Sequence, residues 1–154
     1  MMRGDTVQVQ EGRIIGLDVG EARTGVALSD PLGVIASPYE TIQLKSPSED
    51  AEAVKAIAEE QEAIRIVVGV PLNMEGEVGP QAEKVLAFVE ALKEAVDIEV
   101  VTIDERFSTA SANCSLRESG VNRKRRKQVV DQVAAQQILQ LYLDREANRR
   151  TRES

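Results

Sequence analysis

The chain has 154 residues, 42% of them hydrophobic, and a formal net charge of −7, enough length and apolar content for one domain with a filled core. Histidine is absent and Cys114 is the single cysteine, which excludes Ser-His and Cys-His catalysis, imidazole metal sites, an intrachain disulfide and a cysteine-built zinc site. No apolar run approaches the ~18 residues of a membrane span and Met1 to Arg13 lacks the apolar segment of a secretory signal, so a cytoplasmic protein without a membrane partner is expected.

In chain order, Met1 to Gly12 is polar and expected to be loose. Ile14, Ile15, Leu17 and Val19 form a β-branched, apolar run suited to a strand buried on both faces. Asp18 interrupts it, and a carboxylate in such a strand must be paired, hydrogen-bonded or metal-bound. Gly20 and Gly25 bracket a polar turn of Glu21, Ala22 and Arg23, and Thr24 to Leu28 reads as the second strand of a hairpin. Asp18 thus lies at the end of one strand beside a turn that lets another group approach closely; an Asp that merely serves the turn is the alternative. Gly33 to Ile42 reads as a third strand, placed toward an edge by Pro38.

Ser46-Pro47-Ser48-Glu49 is a helix start, with Ala51, Val54, Ile57 and Ala58 as the apolar stripe. Ile64 to Val70 is a continuous β-branched run of the kind found in buried parallel strands, ended by Pro71. Pro71 to Gly79 is a polar, glycine-rich connection where open α/β sheets place ligand loops, and Asn73 is its candidate residue, for the site or for the turn itself. Pro80 opens the next helix, with Ala82, Val85, Leu86, Val89 and Leu92 inward. Ile98 to Ile103 is the last strand, followed at once by Asp104-Glu105-Arg106. Ser108 caps a helix to about Ser119, Gly120 ends it, and Arg123, Lys124, Arg125, Arg126 and Lys127 form a basic loop before a final helix from Gln128 to about Ala147. The whole of 1–154 reads as one domain with a polar tail over 145–154.

Charge is unevenly spread along this order. Residues 1–116 carry 9 Lys+Arg against 21 Asp+Glu, whereas 117–154 carry 10 against 5. An acidic body with one basic stretch suits local phosphate binding while limiting indiscriminate nucleic-acid binding. A solvated loop without a partner is the competing explanation.

Three carboxylates converge if the first and last strands lie close. Asp18 ends one, Asp104-Glu105 ends the other, and Asp131 shares the helix face of Ala134, Ala135, Ile138 and Tyr142. Complementing the helix dipole is the other role open to Asp131. Gathered carboxylates repel each other unless cations are present, and hard oxygen ligands without His or Cys imply Mg²⁺ or Mn²⁺. Two such ions roughly 4 Å apart support phosphodiester hydrolysis without an imidazole base.

Gly16 to Asp30 (GLDVGEARTGVALSD), Ile66 to Val85 (IVVGVPLNMEGEVGPQAEKV), Asp104 to Thr109 (DERFST) and Arg123 to Leu139 (RKRRKQVVDQVAAQQIL) resemble, in order, the motifs of the YqgF/RuvX family. That family is described both as pre-16S rRNA nucleases and as Holliday-junction resolvases, within the RNase H-like superfamily. Ala110 to Cys114 is less charged than the family pattern. The resemblance implies an α/β, RNase H-like fold: a five-stranded mixed sheet, its first three strands antiparallel, with helices on both faces. It assigns Asp18, Glu105 and Asp131 as catalytic and metal-binding residues. The expected activity is a metal-dependent nuclease using Mg²⁺ or Mn²⁺, in two-ion form, with Asn73 and Arg106 organising the site and Arg123 to Lys127 holding substrate phosphates. Its expected partner is nucleic acid: the 5′ end of the 16S rRNA precursor, with branched DNA the competing substrate. A monomer or homodimer is expected. Two other classes compete, a noncatalytic nucleic-acid-binding module and half of an actin-like ATPase, which D-x-G before a hairpin also resembles; the acidic triad argues against the first and the 154-residue length against the second.

Overall fold

In the computed structural model, which describes residues 12–73, 75–105 and 123–153, with the backbone alone at 123–129 and 152–153, the order of elements is β1 (Arg13–Val19), β2 (Arg23–Ser29), β3 (Ala36–Gln43), α1 (Pro47–Gln61), β4 (Ala63–Val70), α2 (Pro80–Ala95), β5 (Glu99–Asp104) and α3 (Arg123–Glu153). One sheet contains all five strands in the order β3-β2-β1-β4-β5. Strands β1, β2 and β3 are antiparallel neighbours, while β4 runs parallel to both β1 and β5. This is the expected RNase H-like mixed sheet.

The β-branched run Ile66, Val67 and Val68 is fully buried because β4 is central and covered on both faces, the setting in which strands lose their polar alternation. β3 is an edge strand, as Pro38 requires. Its pairing with β2 slips between Val26 and Ala27, which face Glu40 and Pro38 and leave Tyr39 as an extra residue, a bulge at the position that has no N–H to give. Gly33 to Ile35 do not join it. They belong to a turn organised by Asp30, whose carboxylate accepts the N–H groups of Leu32, Val34 and Ile35 at 3.1, 2.8 and 2.8 Å.

Two cores result, one on each face. Ile15, Leu17, Val19, Val26, Leu28, Ile66, Val68 and Val70 pack beneath α1 and α2. Ser46 caps α1 by accepting the Glu49 N–H at 3.2 Å, and Phe88 joins the expected stripe of α2. On the other face Ile14, Ala27, Val67 and Ile103 meet Ala134, Ala135, Ile138, Leu139 and Leu143 of α3. Full burial of each such Leu, Ile or Val is worth about 1.5–3 kcal/mol, so α3 is held by its packing as well as by its propensity.

α3 starts at Arg123 and not at Gln128, so the basic stretch forms the first turns of the helix instead of a loop. Arg, Lys and Gln are good helix formers, and no Gly or Pro interrupts the segment. Its other end continues past Ala147 to Glu153. No helix among the described residues is long and apolar enough to cross a membrane. Arg106, the helix expected from Ser108 to Ser119, and the first 11 residues lie outside the described residues.

Candidate functional site

Strand alternation aims Asp18. Ile15, Leu17 and Val19 face α1 and α2, Ile14 faces α3, and Asp18 therefore follows Ile14 and Gly16 on the α3 side, at the carboxyl end of β1. Strand β5 ends the same way round. Ile103 packs under α3, so Asp104 points away and Glu105, two residues on, returns to the side of Asp18. β4 separates the two strands, which are next-nearest rather than adjacent. The carboxyls interact nonetheless, and the register that pairs Leu17 with Val68 and Gly69 with Ile103 leaves a glycine on β4 beside Asp18.

The Asp18 carboxyl donates a hydrogen bond to Glu105. Burial above all, then the Glu105 charge and that bond, then the Asp131 charge, push Asp18 from 3.8 up to about 8. Glu105 is also raised, by burial in the first place and by the charge of Asp104, against the lowering effect of its bond to Asp18. Two acids taken out of water and placed side by side do not both ionise at neutral pH without a cation, and they share a proton instead.

Asp131 arrives from α3 through a gap in β2. Asp18 lies directly across the hairpin from Gly25, and a Cβ on Gly25 would come within 2.0 Å of the Asp131 carbonyl oxygen. Gly16 and Gly69 allow the same close approach further along, where a Cβ would meet Leu139 at 2.6 Å and Ile138 at 2.7 Å. Four positions of small side chain, counting Ala135, thus let one helix press on the sheet and carry its carboxylate to the end of β1. Asp131 lies about two turns inside α3, beyond the first turn where a negative charge complements the helix dipole.

Its carboxylate is held by Arg23. The Nε of Arg23 donates to Oδ2 of Asp131 at 2.9 Å, both side chains being 20% exposed. Sequence reasoning assigned Arg23 to a polar turn, yet it is the first residue of β2, on the face shared by Gly25 and Ala27. That small-residue alternation was the signal. Among the described residues no three acids stand close enough to hold one ion: Asp18 and Glu105 are together, and Asp131 is drawn toward Arg23. The donor set still fits a hard divalent cation, since it offers carboxylate oxygens and no nitrogen or sulfur.

Asn73 stands in the expected connection but serves it locally. Its Oδ1 accepts the N–H groups of Glu75 and Glu77 at 3.0 and 2.8 Å, and its Nδ2 donates to the Glu77 carboxylate at 3.1 Å. These hydrogen bonds of the side chain hold the 73–77 turn. Gln81, which no motif singled out, ties α2 to the end of β1 through the Val19 carbonyl at 3.3 Å. The side chains of Arg106 and Arg123 to Lys127 lie outside the described residues.

Residues 12–145 match the RuvX family, described as Holliday junction resolvase. A Clostridium botulinum (strain Hall) protein named "Putative pre-16S rRNA nuclease" is 47% identical over 132 residues, covering 86% of this chain and 96% of that protein. A Clostridium kluyveri protein of the same name is 46% identical over 133 residues, covering 86% and 97%. Among solved structures, RuvC of T. thermophilus in complex with a Holliday junction substrate has a TM-score of 0.53 at 13% identity, covering 88% of this chain and 96% of that one. A second structure of Thermus thermophilus RuvC gives 0.51 at 14%; at such identities the similarity is one of fold.

Proposed function

The chain belongs to the RuvX family, and from that premise we propose that it is a metal-dependent, cytoplasmic nuclease that hydrolyses phosphodiester bonds at the 5′ end of the 16S rRNA precursor. The observation that carries the reading is the pairing of Asp18 with Glu105 at the carboxyl ends of β1 and β5, with Asp131 on α3 near enough for its charge to act on Asp18. The substrate comes from the name borne by relatives that are 47% and 46% identical over 96% and 97% of their length. Branched DNA is the second reading, favoured by the description of the family itself.

Asp18, Glu105 and Asp131 would hold Mg²⁺ or Mn²⁺, in two-ion form. When bound at carboxylates, such ions activate water and offset the charge developing on the leaving oxygen. The chain's own part is to give up the proton shared by Asp18 and Glu105, to present Asp131, and to keep the site dry on the α3 side with Ile138 and Leu139. In this reading Arg106 and the basic turns from Arg123 to Lys127 bind substrate phosphates, and Asn73 keeps the neighbouring turn in shape.

Purified protein should cut precursor RNA only with added Mg²⁺ or Mn²⁺. Glu105→Gln should abolish cutting, whereas Asp104→Asn, on the opposite face, should cost less than tenfold, roughly one peripheral contact. Parallel assays on four-way DNA junctions decide the substrate. Undiminished cutting in excess EDTA, or by the Glu105 variant, overturns the proposal.

A further inference from the structure

The Arg23–Asp131 pair is a single-point contact between two groups that could make two. A guanidinium and a carboxylate usually pair as a fork on a fork; here Nε meets Oδ2 at 2.9 Å and no second bond is formed between them. Both backbones are fixed. The Arg23 carbonyl accepts from Gly20 N–H at 2.8 Å to close the hairpin, and the Asp131 carbonyl fills the space above Gly25. The two side chains are partly exposed.

Arg23 is also the cation paired with one of the three candidate ligand carboxylates. A divalent ion brought to the cluster competes with the guanidinium for the same carboxylate, and the two positive charges repel each other at short range. We propose that Arg23 is a positioning residue that latches Asp131 in the metal-free protein, so that ion binding requires Asp131 to pass from the guanidinium to the ion. The site is thereby tuned to bind its ions weakly when empty. This inference rests on the assignment of Asp131 as a ligand made above.

The test measures ion binding by the whole chain without nucleic acid, by calorimetry with Mn²⁺. Removing the competing charge in Arg23→Gln should tighten Mn²⁺ binding roughly tenfold, while Arg23→Lys, which keeps the charge, should stay within about threefold of wild type. Equal or weaker binding by Arg23→Gln overturns the latch. A second measurement needs no variant: the Nε–Hε resonance of Arg23 should shift, and its solvent exchange accelerate, as Mg²⁺ saturates the protein. A resonance unmoved at saturation overturns the latch equally. If Asp131→Asn leaves Mn²⁺ affinity unchanged, the ligand assignment falls and the latch with it; if Asp131→Asn weakens binding and Arg23→Gln changes nothing, the latch alone falls.

Discussion

Asp18 was legible in the sequence because a charge in a β-branched strand has few explanations, and its environment gives a consequence for stability. The carboxyl ionises near 3.8 in the unfolded chain and about 8 in the folded one. Below both values neither state is ionised and nothing is lost. As pH rises through that interval the unfolded chain ionises first, so the metal-free protein loses stability progressively and reaches its full penalty above about 8. Glu105, raised as well, acts in the same direction. Thermal unfolding in EDTA should show the midpoint falling between about pH 5 and about pH 8.5, and Asp18→Asn should flatten that fall. A wild-type midpoint that rises over the range would contradict the buried, shared proton. Arg23 was not legible in the same way. Its charge sits beside Glu21 in a glycine-bracketed turn, where solvation explains it fully, and only its pairing across 108 residues with Asp131 gives it a role.

Among the elements, strands and helix stripes could be read from periodicity, since burial of one face imposes period 2 or 3.6 on any sequence. The placement of β4 between β1 and β5 could not, because pairing between distant strands leaves no local pattern. The start of α3 was missed because a run of Arg and Lys is equally compatible with a solvated loop and with a helix, and packing of the later turns decides. The glycines of β1, β2 and β4 carry information that the sequence shows only in hindsight: they are the track on which α3 lies. Gly25→Ala should destabilise the protein by about 3 kcal/mol or more, since backbone rather than a flexible side chain blocks the new methyl. Gly79→Ala, with open space around it, should stay within about 1 kcal/mol. Urea unfolding of the two variants checks the contrast, and a tolerated Gly25→Ala would mean that α3 can lift off without cost.

For the molecule as a whole, the proposed function divides labour between the acidic body, for chemistry, and the basic opening of α3, for grip. Arg125→Ala with Arg126→Ala should leave cleavage at saturating substrate near normal while weakening binding, and the slope of log affinity against log salt should flatten by up to about 2. An unchanged slope would return the basic turns to simple solvation. A different consequence follows from the order in which the elements are joined. The candidate carboxylates come from the first strand, from the end of the last strand and from the last described helix, which also packs on one face of the sheet. During synthesis, at ~5–20 residues per second, everything through β5 is made first, with Ile14, Val67 and Ile103 still bare on that face. In the proposed reading a growing chain is therefore unarmed: the same helix that completes the apolar core delivers the last acid, so that the chemistry would be acquired only as the fold itself is completed.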